Sequence, residues 1–90
     1  MFKLNAANRL RALTEVHSDA FEGWINSLQF QYKRPEGANY VVVDASYAEV
    51  QDKLGSDGWT DDGDGEFSKG EHACAIAKVG AGRTRITDRG

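Results

Sequence analysis

NYVVVDASYAEVQDKLGSDGW, residues 39–59, holds a strand, a helix and the turn out of that helix. Tyr40-Val41-Val42-Val43 is a β-branched and aromatic run, the composition of a strand packed on both faces or nearly so. Ser46 and Glu49 form an S-x-x-E capping box, whose hydroxyl and carboxylate satisfy backbone donors left free at a helix start. Tyr47, Val50 and Leu54 recur at helical spacing, and Gly55 is placed to stop the helix in a left-handed conformation. Ser56-Asp57-Gly58 then turns the chain into Trp59. This stretch is scaffold and carries no chemistry.

Upstream, residues 5–32 read as helical. Leu10, Leu13, Val16, Ala20, Phe21, Trp24, Ile25 and Leu28 follow three-and-four spacing, with polar residues on the other face. Ser18-Asp19, with Glu22 three residues beyond Asp19, offers a second N-cap, so the segment is one helix bent near His17 or two helices. Pro35-Glu36-Gly37 makes the loop into Tyr40, and Lys33-Arg34 reads as a solvated helix end.

Downstream the pattern turns to β-structure. Trp59-Thr60 and Glu66-Phe67-Ser68 flank Asp61-Asp62-Gly63-Asp64-Gly65, a hairpin turn. His72 to Val79 is the longest strand candidate, although its alanines also permit a helix. Arg83-Thr84-Arg85-Ile86-Thr87 reads as a final strand, at an edge, with its arginines on one face. The predicted fold class is α+β: an N-terminal helical region, then β-α-β with antiparallel β-hairpins, the helices packed on one face of a small sheet. Residues 1–90 form one domain.

Composition narrows the function classes. Apolar residues make up 40% of the chain, enough for one packed core. Nowhere do 18 apolar residues run together, and the N-terminus lacks an apolar signal segment, so a membrane partner is not expected. The single Cys74 reads as a small buried hydrophobe in a reducing, cytoplasmic setting. A net charge of −3 makes a nucleic-acid partner a poor expectation. The charge is uneven, however: carboxylates dominate Asp52–Glu71 and cations dominate Lys78–Gly90, which suits steering of a partner or a homodimer.

Three groups of residues invite a chemical reading. In the acidic turn, Asp62 and Asp64 fall on EF-hand ligand positions if Gly65 takes the glycine position, with Glu71 as the closing ligand. Thr60 stands where the first Asp belongs, so no metal site is assigned there. Arg83 and Arg85, with Lys78 and Arg89, suit phosphates or an acidic partner, or guard an edge strand. The third is Lys69-Gly70-Glu71-His72. Together with the capped helix, Gly58-Trp59, Gly82-Arg83 and Ile86-Thr87, it resembles the HicA family of small toxin ribonucleases over residues 46–87. That resemblance implies an α-β-β-β-α fold like that of double-stranded-RNA-binding domains, with His72 catalytic and Lys69 contacting RNA. Glu71 stands where the family motif has Ser. The opening Asn5-Ala6-Ala7-Asn8-Arg9-Leu10 is similar in style to small proteins of tailed bacteriophages, which implies a role against a host or defence component.

The expected function is a small, acidic, non-enzymatic protein-binding domain without a cofactor, acting as a phage-type accessory protein or inhibitor. Its binding residues are expected to be Trp59, Asp61, Asp62, Asp64 and Glu66, meeting a basic surface on another protein. The alternatives are a HicA-like mRNA-cleaving toxin using His72 and a Ca²⁺-binding acidic loop.

Overall fold

The computed structural model of the protein describes residues 13–90. Helix α1 (Leu13–Ser27) is followed by strands β1 (Tyr32–Lys33) and β2 (Tyr40–Val43), then helix α2 (Tyr47–Ser56). Strands β3 (Thr60–Gly63), β4 (Glu66–Lys69), β5 (His72–Gly80) and β6 (Arg83–Asp88) complete the chain. All six strands form one antiparallel sheet in the order β1-β2-β6-β5-β4-β3.

This corrects the predicted architecture. A helical lead into a β-α-β unit with a small sheet is not what forms. The strands flanking α2 lie at opposite sides of the sheet, β2 next to one edge and β3 at the other. Helix α2 therefore carries the chain across the sheet, and two hairpins and β6 bring it back to β2. The pairing of β2 with β6, Val41 opposite Ile86 and Val43 opposite Thr84, joins segments far apart in sequence.

The capped helix forms as its sequence dictates. Ser46 is extended (φ −70°, ψ 162°), its Oγ accepts from the Glu49 N–H at 3.2 Å, and Glu49 Oε1 accepts from the Ser46 N–H at 2.8 Å. The stop differs from expectation. Gly55 stays inside α2, and Gly58 (φ +94°) takes the left-handed position. The Trp59 N–H then reaches the Leu54 carbonyl at 2.9 Å, and the Gly58 N–H reaches Gly55 at 3.2 Å, a Schellman closure.

The N-terminal helical reading needs more correction. Helix α1 runs unbroken past His17 and Ser18, and it ends at Ser27 rather than near residue 32. Gln29 adopts φ +64° directly after it, and the chain enters β1. Lys33 is a strand residue. Arg34 is held rather than solvated: Nε donates to the Ala38 carbonyl at 3.0 Å, NH1 lies 3.5 Å from Glu22, and the guanidinium sits 5.0 Å from the Phe21 ring centre. The Asn5–Leu10 stretch lies outside the described residues.

Residues opposite one another in an antiparallel pair point to the same side of a sheet. The inward face therefore carries Val41, Val43, Phe67, Cys74, Ile76, Thr84 and Ile86, all buried. Phe21, Ile25 and Leu28 from α1, and Val50 and Leu54 from α2, join them in one core. Thr84 is the single buried polar side chain of that core among the described residues, and its hydroxyl donates to the Ala45 carbonyl at 2.8 Å. That bond ties β6 to the chain just before α2.

Candidate functional site

The acidic hairpin is tighter than its sequence suggests. Thr60–Gly63 is strand, and only Asp64 and Gly65 turn, with φ of +55° and +78°. Gly63 pairs with Glu66 across them, a two-residue Asp-Gly turn of the kind that suits strand twist. Asp62 sits at a bulge between Asp61 and Gly63, where Asp61 Oδ1 accepts from the Gly63 N–H at 2.9 Å. Gly65 permits close approach: a Cβ there would lie 2.7 Å from the Ile76 carbonyl oxygen and 3.2 Å from Tyr47 Oη.

The five expected binding residues do not form one surface. Asp61, Asp62 and Asp64 are exposed, and none has an ion-pair partner among the described residues. Glu66 is half-buried and lies 3.6 Å from Arg89. Trp59 is 5% exposed and packs on Trp24 with ring centres 4.6 Å apart. It is a core residue, and its buried indole N–H has no protein acceptor among the described residues. The sequence places Trp59 at the base of the acidic tip as a binding residue; the Schellman closure at Gly58 turns it inward.

The carboxylates do not gather around a cation position either. Asp64 is at the tip of the β3–β4 hairpin, whereas Glu71 is in the β4–β5 turn at the other end of β4. Among the described residues no three His, Cys, Asp or Glu side chains converge as a metal group. His72 is exposed and opposite Lys69 in the ladder, and its imidazole has no hydrogen-bond partner among the described residues. Lys69 Nζ donates to the Asp57 carbonyl at 2.6 Å, closing the C-terminal end of α2. Cys74 is fully buried; burial, reinforced by the charges of Asp88 and Glu66, pushes its thiol up to about 12. A thiol held protonated in the core is no nucleophile.

The arginines expected on an edge strand lie instead on an interior strand, on the outward face of the sheet. One row across it reads Lys33, Val42, Arg85, Ala77, and the next reads Tyr40, Thr87, Ala75, Glu66. No described helix covers this side, and Val42, Tyr40, Ala73, Ala75 and Ala77 are only half-buried. Arg83, Arg85 and Arg89 are all exposed and share one face of β6 and its continuation, where the Arg89 N–H bonds the Ala73 carbonyl at 2.9 Å. Alternate residues of a strand stand about 6.8 Å apart, so Arg83 and Arg85 form a cationic pair, and Arg89 extends the track about twice that distance beyond Arg85, with Thr87 between them. Beside it lies a concavity of about 640 Å³ lined by Gln31, Lys33, Tyr40, Val42, Asp44 and Arg83.

Strand β6 lies between β2 and β5, so its arginines do not guard an edge. The edges are β3 and the two-residue β1; all four residues of β3 are exposed, and there the aspartates do that work. The ion pairs Arg83–Asp44 (3.9 Å) and Arg89–Glu66 (3.6 Å) join side chains more than 40% exposed and hold the arginines only loosely. Arg85 has no such pair among the described residues.

Comparison with known protein families, curated proteins and solved structures finds no match to this chain.

Proposed function

We propose that the chain is a non-catalytic protein-recognition module whose binding surface is the outward face of the sheet, with the acidic hairpin as its rim. The observation that carries this reading is the arginine track on an interior strand. Cations there contribute nothing to the core and protect no edge, while Tyr40, Val42 and three alanines beside them offer apolar area. A partly apolar surface with arginine and tyrosine at its centre has the composition of a recognition patch. The track calls for acidic groups on the partner, and the carboxylates of β3 call for basic groups beside them, so a partner of uniform charge is disfavoured.

Capture from a bacterial lysate tests this reading with three baits: the wild-type chain, Arg83→Ala/Arg85→Ala, and Asp61→Asn/Asp62→Asn/Asp64→Asn. Proteins retained by the wild type should be lost from the arginine variant while its circular dichroism is unchanged. Retention unaffected by the arginine changes would remove the outward face as the binding surface.

A further inference from the structure

The track needs an anion of matching geometry, and the chain carries one. Resting on the outward face as the recognition surface, we infer that its partner is a second copy of this chain, packed face to face about a two-fold axis parallel to the strands. With the axis between β5 and β4, the strand order superposes β6 of one protomer on β3 of the other, and β5 on β4. From β6 to β3 is three strand spacings, about 14 Å, and packed sheets stand about 10 Å apart. An axis parallel to the strands also preserves position along them. Arg85 is level with Ala77, one step beyond Ile76, whose N–H bonds the Gly65 carbonyl. Arg85 of each protomer therefore lies opposite the Asp64 turn of the other.

Three features suit this arrangement. Ala73, Ala75 and Ala77 line β5 beside the axis with methyl groups, which leaves room for Glu66 and Ser68 on the same face of the β4 strand superposed on it. Arg85 and Asp64, which meet, have no ion pair within the protomer among the described residues. The contact is isologous, so each Arg85–Asp64 meeting occurs twice and the assembly closes at two copies instead of growing into a fibre.

Sedimentation velocity of the full chain at low and high salt tests this directly. The wild type should be a dimer at low ionic strength and dissociate as salt rises toward about 1 M, where the Debye length is about 3 Å. Arg83→Glu/Arg85→Glu and Asp62→Lys/Asp64→Lys should each be monomeric, with association weakened about tenfold or more. Mixing the two charge-reversed variants should restore a dimer containing one of each. A wild type monomeric at low salt, or a dimer indifferent to both reversals, or a mixture that stays monomeric while both variants keep the native circular dichroism, would each overturn the inference. If the wild type is monomeric and the arginine variant still loses proteins captured from lysate, the second copy is wrong and the recognition surface stands.

Discussion

At the scale of single residues, backbone conformation decides two opposite outcomes. Gly65 has φ +78° and faces the Ile76 carbonyl, so Gly65→Ala should lose stability by about 1–2 kcal/mol from conformation alone, with the 2.7 Å contact adding to it. Gln29 pays the same conformational cost after α1 at φ +64°, where its side chain is exposed. Gln29→Gly should therefore stabilise the fold by about 0.5–1 kcal/mol. Urea unfolding of both variants checks the pair, and a Gly65→Ala variant as stable as wild type would contradict the close approach. Cys74 adds a pH arm. Its folded-state pKa, raised from 9.0 to about 12, means that the native state holds a proton the unfolded chain releases. Stability is then fully present below pH 9 and falls as pH rises from there toward 12. The thiol should resist a disulfide reagent at neutral pH until the protein unfolds, and Cys74→Ala should flatten the alkaline limb of the stability curve.

At the scale of elements, the helix start and the strand before it were legible because their signals are local. Val41 and Val43 are buried on an interior strand, and the Ser46 box closes as S-x-x-E dictates. Ser46→Ala should cost about 0.5–2 kcal/mol. Thr84→Val should cost about 1–3 kcal/mol, because a buried carbonyl loses its donor while the shape is kept; thermal unfolding that leaves Thr84→Val level with wild type would show that Ala45 finds another partner. The end of α1 was not legible, since Gln29 stands where Gly or Asn would have marked a left-handed stop. Sheet order was not legible either. The alternation Arg83, Arg85 gives one face of a strand, but which neighbours flank that strand depends on a pairing with Tyr40–Val43, and no local pattern encodes it. The same gap moved the candidate site: with β6 read as an edge, its arginines had a protective explanation that belongs instead to the aspartates of β3.

At the scale of the whole molecule, the net charge of −3 hides a separation into an acidic hairpin edge and a cationic sheet face. The two poles make opposite demands on stability, and the variant Asp61→Asn/Asp62→Asn/Asp64→Asn separates them. Asn at position 61 keeps the side-chain oxygen that accepts from the Gly63 N–H, so the hairpin retains its bond. In dilute protein at low salt, removing three like charges from one edge should leave the melting temperature equal to or above that of wild type. In concentrated protein the order should reverse, because the wild type gains the free energy of association and the variant does not. Both differences should shrink together as salt is raised. Melting curves across a dilution series read this crossover. A variant that melts below wild type at every concentration would make the carboxylates part of the fold. One that precipitates on dilution-independent heating would make them guards of the β3 edge and nothing more.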